Sequence, residues 1–121
     1  MKIAVIGGRN FNNYELLKST LDAIPDISEI VSGGAKGTDT LGEKYAREKG
    51  IPTKIFKPNW KLGPHAGDLR GIAIIDNADH VVAFWDGQSR GTKYALNYAR
   101  EKKLTVQVVR LFLLQGFEMS R

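Results

Sequence analysis

Two short segments of this chain combine glycines, hydroxyls and a cation in the same way: Ser32-Gly33-Gly34-Ala35-Lys36-Gly37-Thr38-Asp39 and Asp86-Gly87-Gln88-Ser89-Arg90-Gly91-Thr92. Each follows an apolar run and opens a stretch with helical periodicity. Glycine lets the backbone come close to a ligand, the free N–H groups of a helix start point outward, and the helix dipole favours negative charge there. Lys36 and Arg90 add full positive charges, and Ser32, Thr38, Ser89 and Thr92 add hydroxyls. The chemistry this suits is the holding of an anion, above all the phosphate of a nucleotide-like ligand. The plainer alternative for any one glycine is a tight exit from a strand.

Spacing excludes the commoner phosphate motifs. Lys36 stands before the last glycine of its loop, whereas a P-loop needs Gly-Lys-Ser/Thr with the lysine directed to the β and γ phosphates. No strict G-x-G-x-x-G occurs, and the strand after the first loop ends in Phe56-Lys57, not in the acid that would hold a ribose 2′-hydroxyl. Nicotinamide-dependent hydride transfer is therefore not expected, and no cofactor is assigned. His65 and His80 are the only histidines and lack metal-ligand spacing with carboxylates, so no metal site is expected. The absence of cysteine removes disulfides, zinc–thiolate sites and thiol catalysis.

The elements that must position these loops alternate along the chain. Lys2 to Ile6 reads as a strand, and Asn12 or Asn13 caps a helix with the stripe Leu17, Leu21 and Ile24 before Pro25. Ile27 to Val31 is a second strand. A helix from about Lys36 to Lys49 presents Leu41, Tyr45 and Ala46 on one face, with Gly50 and Pro52 ending it, and Thr53 to Phe56 is a third strand. The segment from Lys57 to Gly67 is the only long irregular one. A helix from Asp68 to Asn77 carries Leu69, Ile72, Ala73 and Ile75; Asp79 to Phe84, Ser89 to Lys103 and Thr105 to Val109 follow as strand, helix and strand. This alternation predicts an α/β fold: a mainly parallel five-stranded sheet with helices on both faces, a three-layer sandwich. In such sheets ligands bind beyond the carboxyl ends of the strands where strand order reverses, so Gly7-Gly8-Arg9, Ser32-Gly33-Gly34, Asn59-Trp60 and Asp86-Gly87 should converge on one rim.

With 121 residues, 42% of them hydrophobic, the chain is expected to be one domain, with a core over 1–110 and an apolar extension over 111–121. The tail Arg110-Leu111-Phe112-Leu113-Leu114-Gln115-Gly116-Phe117 should be buried, either on its own sheet edge or against a second copy. No segment has the length of a membrane span, the first apolar run is too short for a signal sequence, and a cytoplasmic setting is expected. The net charge of +5 favours acidic partners: nucleotides first, nucleic acid second.

The combination Gly7-Gly8-Arg9-Asn10-Phe11, the loop from Ser32 to Asp39, Asn59-Trp60, Ala66-Gly67-Asp68-Leu69-Arg70 and the loop from Asp86 to Thr92 resembles the YspA-like branch of the SLOG superfamily. That superfamily of Rossmann-like folds also holds DprA-type DNA-processing proteins and the LOG phosphoribohydrolases. The resemblance implies a pocket for a nucleotide or a nucleotide-derived molecule, such as an NAD-related or ADP-ribose-like ligand, in stress, conflict or phage-defence signalling. It implies that the two glycine loops cradle phosphate and ribose while Arg9 and Trp60 flank the base or sugar. It also implies a homo-oligomer, which the apolar tail packed against a second copy would fit. LOG hydrolases carry Pro-Gly-Gly-x-Gly-Thr-x-x-Glu and an upstream arginine. Here Arg70 and Gly91-Thr92 match, but Ala95 stands at the glutamate position, so Arg70 is the single catalytic candidate and binding is favoured over hydrolysis.

Among these residues Arg70 is the strongest expectation, because an arginine opening an apolar helix at the rim can grip phosphate with two N–H groups. Trp60 suits stacking on a base, with packing of the long loop as the alternative. Asp39 would repel a phosphate, so it is expected to bind ribose hydroxyls or to brace its loop. Tyr94 and Tyr98, one turn apart, fit core or subunit contacts.

Overall fold

Runs of β-branched residues form the strands and the intervening amphipathic segments wind into helices, in a computed structural model that describes residues 1–111. The elements are β1 (Lys2–Gly7), α1 (Tyr14–Asp22), β2 (Glu29–Ser32), α2 (Thr38–Lys49), β3 (Thr53–Ile55), a 3-10 turn (Trp60–Leu62), α3 (Ala66–Asp76), β4 (His80–Trp85), α4 (Arg90–Glu101) and β5 (Thr105–Arg110). All five strands are parallel, in the order β3-β2-β1-β4-β5. The order reverses between β1 and β4, whose following helices lie on opposite faces. This is the α/β Rossmann-like sandwich expected from the alternation of elements.

Burial of the sheet on both faces explains why β1 and β4 read as continuous apolar runs. Ile3, Val5, Val82 and Phe84 pack with Leu17 and Leu21 of α1 and Tyr45 and Ala46 of α2. On the other face Ala4, Ile6, Val81 and Ala83 meet Ile74 and Ile75 of α3 and Ala95, Leu96 and Ala99 of α4. Tyr98 ties the outer helices together by donating to Asp76 Oδ1 at 2.7 Å. Local signals act where expected: Asn13 caps α1 by accepting the Leu16 N–H at 3.0 Å, and Gly50 ends α2 in the left-handed conformation.

Several element bounds shift by one or two residues from the expectation, β2 starting at Glu29 and α2 at Thr38, and the region before and at α3 differs most. Helix α3 begins at Ala66, two residues before Asp68, and buries Ala66, Ile74 and Ile75, while Leu69 is 47% exposed. The segment before it holds the 3-10 turn, which Asn59 caps by accepting the Lys61 N–H at 3.2 Å. Of the apolar tail, Leu111 packs against the first core. The rest of it, and the subunit contact expected of it, lie outside the described residues.

The loops at the carboxyl ends of the strands are held by a close junction. The Gly8 carbonyl accepts both the Thr38 N–H (3.2 Å) and the Thr38 hydroxyl (3.0 Å), and the Gly8 N–H donates to the Phe84 carbonyl at 3.3 Å. A side chain on Gly7 would collide with Phe84 O and Thr38 Oγ1. Gly37, at φ 74°, adopts a backbone region that disfavours side chains, and a Cβ there would strike the Arg9 and Gly8 carbonyls. Gly37→Ala is expected to lower unfolding free energy by more than about 1 kcal/mol in chemical denaturation, since both the positive φ and the backbone collision oppose it.

Candidate functional site

A cavity of about 730 Å³ opens where the strand order reverses, beyond the carboxyl ends of β1 and β4. The β1–α1 connection supplies Gly7, Gly8, Arg9, Asn10, Phe11, Asn12 and Asn13, with Leu16 from the first turn of α1. Ala35 and Asp39 come from the start of α2, Arg70 from α3, Asp86, Ser89, Gly91 and Thr92 from the start of α4, and Leu111 from the end of β5. Phe11 forms part of the floor, its ring stacked on Phe84 at 4.9 Å between centroids and almost fully buried.

The two glycine loops, alike in sequence, differ in what occupies their helix starts. Before α4 the loop is self-braced: Asp86 Oδ1 accepts the N–H groups of Gln88 and Ser89, both at 2.8 Å, and Trp85 Nε1 donates to the Ser89 carbonyl at 3.1 Å. Those two N–H groups hold the Asp86 carboxyl below its usual range. Arg110 covers the Trp85 ring at 5.6 Å and fills the space beside Gly87. The first turn of α4 contains no acid, and its Gly91 and Thr92 face the cavity. That is a helix start open to an anion.

At α2 the position is taken by the chain itself. Asp39, in the first turn and nearly buried, accepts the Ala35 N–H on Oδ2 at 3.0 Å. Burial pushes its pKa upward, opposed by the Ala35 N–H and the positive charge of Arg70. The fully buried Ser32 hydroxyl lies close enough to Asp39 to favour the charged form, yet off the geometry of a hydrogen bond. A phosphate at this end would meet a carboxylate.

Arg70 is not spent on a surface ion pair. Asp76 is engaged by Tyr98 and by Lys102 at 3.8 Å, and Asp68 stands 4.0 Å from His65 Nδ1. Arg70 instead donates from Nη1 to the Gly33 carbonyl at 3.3 Å and reaches both the main cavity and a groove of about 180 Å³ beside it. The groove is lined by Phe56, Lys57, Pro58, Asn59, Leu62, Ala66, Leu69 and Ala73 as well.

Of the residues expected at the site, the cavity gathers Gly7, Gly8, Arg9, Asn10, Phe11, Asp39, Arg70, Asp86, Ser89, Gly91 and Thr92. Ser32, Gly33, Gly34, Lys36, Gly37, Thr38, Gly87 and Arg90 stand outside its wall, Asn59 lines the smaller groove, and Trp60 is 61% exposed on the 3-10 turn. The cations on the wall are thus Arg9 and Arg70, with Lys36 and Arg90 exposed around it. Asn12, Asn13, Leu16, Ala35 and Leu111 line the cavity without having been singled out by sequence. The asparagine pair signalled only a helix cap, and Ala35 and Leu111 carry no chemical signal at all. Among the described residues no three His, Asp or Glu side chains lie close enough to hold a metal ion.

Because the native state holds the Asp39 proton more tightly than the unfolded chain, this group's contribution to stability falls as pH rises above the ordinary carboxyl value of 3.8. Asp39→Asn keeps an acceptor for the Ala35 N–H and removes the charge. Thermal unfolding between about pH 4 and 7 should show wild type losing stability relative to Asp39→Asn as pH increases; the opposite trend would contradict the burial effect.

Comparison with known proteins bears on the fold and the family. No curated protein matches the sequence. The fold is similar to that of DNA processing protein A (DprA) from Streptococcus pneumoniae, with a TM-score of 0.76 and 22% sequence identity over 95% of this chain and 52% of that one. The chain therefore spans about half the length of that protein. No helix among the described residues is long and apolar enough to cross a membrane. Residues 1–63, more than half of the 121-residue chain, match a single family, and the chain belongs to it: the YspA, cpYpsA-related SLOG family.

Proposed function

We propose that this chain binds a phosphorylated nucleotide or nucleotide-derived ligand in the cavity, with its phosphate at the start of α4, and works as a sensor or sequestering protein. The observation that carries this reading is the acid-free first turn of α4 presenting Gly91 and Thr92 to a cavity that also holds Arg9 and Arg70. A volume of about 730 Å³ suits a ligand of nucleotide size. The family resemblance adds an NAD- or ADP-ribose-like molecule, linear or cyclic, as the finer ligand class, and stress or phage-defence signalling as the setting. Binding is preferred to phosphoribohydrolase activity because Ala95 is buried and faces α3, 3.7 Å from the position of a Cβ on Gly71, and carries no group that moves a proton.

A second reading, single-stranded nucleic-acid binding, is favoured by one specific feature. Lys36, Lys57, Lys61 and Arg90 are exposed in segments that follow the strand ends, and Trp60 on the 3-10 turn is open for stacking. The structurally similar protein is named as a DNA-processing one.

Denaturing the purified protein and mass-analysing what it releases tests the first reading directly. With AMP and ADP-ribose as calorimetric probes, Arg70→Ala is expected to weaken binding by about 10- to 100-fold, the loss of a charged hydrogen-bond donor to phosphate. Lys36→Ala should stay within about 3-fold at physiological salt, as an exposed charge outside the wall is largely screened. No bound metabolite and no affinity for either probe would overturn the proposal. Release of free adenine from AMP would reassign the site to hydrolysis. Tight single-strand binding with a steep salt dependence that shrinks in Lys36→Ala would favour the second reading.

A further inference from the structure

On the cavity wall, at the start of α2, stands a carboxylate outside every ion pair found among the described residues. This group, Asp39, is nearly buried and faces the cavity. Arg70 lies close by yet makes no ion pair with it: a Cβ on Gly33 would lie 3.0 Å from both Asp39 Oδ2 and Arg70 Cδ, and the guanidinium donates to the Gly33 carbonyl instead. Oδ2 of Asp39 is taken by the Ala35 N–H, while Oδ1 receives no hydrogen bond within the described residues. Beside it the Ser32 hydroxyl is fully buried and has no partner.

A largely buried carboxylate on a cavity wall favours a ligand group that donates to it, and it repels phosphate. The two helix starts therefore prefer different chemistries: an anion at α4, where the neighbouring Asp86 is engaged by the Gln88 and Ser89 N–H groups, and O–H donors at α2. A ribose 5′-phosphate has both, because its vicinal 2′ and 3′ hydroxyls can donate together to one carboxylate.

We infer that Asp39 is the specificity-determining acceptor for the ribose hydroxyls, so that the site selects ribonucleotides over their 2′-deoxy counterparts. The inference rests on the phosphate-binding reading above. It orients the ligand with phosphate toward Gly91 and Thr92 and sugar toward Asp39, and it leaves the Ser32 hydroxyl as a second polar group close to the sugar end.

Calorimetry with AMP, 2′-deoxy-AMP and IMP on wild type and Asp39→Asn tests it. Wild type should bind AMP at least about 10-fold more tightly than 2′-deoxy-AMP, because the analogue lacks one of the two hydroxyl donors to the carboxylate. IMP should match AMP in this respect, as the donor is the sugar and not the base amine. In Asp39→Asn the preference should shrink to within about 3-fold, through loss of AMP affinity with 2′-deoxy-AMP unchanged. Equal binding of AMP and 2′-deoxy-AMP by wild type overturns the ribose assignment and leaves the phosphate site standing. Equal weakening of both nucleotides in Asp39→Asn overturns it in favour of a loop brace. A selective loss of IMP points to the base amine and overturns it too. Should neither nucleotide bind wild type, the phosphate reading itself fails and this inference falls with it. The wild-type comparison needs no variant, and a melting curve confirms that Asp39→Asn is folded.

Discussion

One carbonyl organises the binding end of this fold. Gly8 O receives the backbone and side-chain donors of Thr38, which brings the start of α2 against the end of β1, while the Gly8 N–H reaches across to β4. Three chain segments separated by some thirty to seventy-five residues are thereby joined at the reversal of strand order. Such proximity leaves no room for side chains at Gly7 or Gly37. Gly37 sits in one of the loops that suggested phosphate binding and Gly7 in the first loop of the rim, yet the first duty of both is to let backbone meet backbone.

That duty separates two loops that look equivalent in sequence. Around α2 the polar groups satisfy one another: Thr38 with Gly8, Asp39 with Ala35, Arg70 with Gly33. Around α4 the loop is braced through Asp86, Trp85 and Arg110, and Gly91 and Thr92 are left facing the cavity. A nearly buried carboxylate at the start of α2 and an acid-free first turn of α4 give the cavity two different linings. Dipole and desolvation act in the same direction here, since each favours negative charge at α4 and disfavours more of it at α2.

Arg70 depends on the same arrangement. Helix α3 is apolar around most of its circumference, and only its second half, through Ile74 and Ile75, packs into the core. Its first half projects along the rim, which exposes Leu69 and carries Arg70 between the cavity and the smaller groove. The acids of its own neighbourhood are occupied by Tyr98, Lys102 and His65, so the guanidinium remains directed at the loop and the cavity.

The order of elements, the parallel sheet and the rim where loops converge were legible because they follow from local physics: β-branched apolar runs, Asn13 as a cap, Gly50 as a stop, and the uniform direction of parallel strands. The start of α3 was not, because Ala66-Gly67 carries no capping signal of its own and an all-round apolar helix has no unique face by periodicity. Nor could spacing tell that Arg9 and Arg70 line the cavity while Lys36 and Arg90 remain outside it; a loop side chain takes its direction from the neighbours it meets, and those are distant in sequence. Leu111 reaches the site only because β5 lies beside β4, and Asp39 is a buried carboxylate rather than an ordinary helix-start acid only because Gly33, Ala35 and Arg70 enclose it. Residue types determined which chemistry was available to this chain. Tertiary packing decided which of those groups water can no longer reach, and hence which of them a ligand must satisfy.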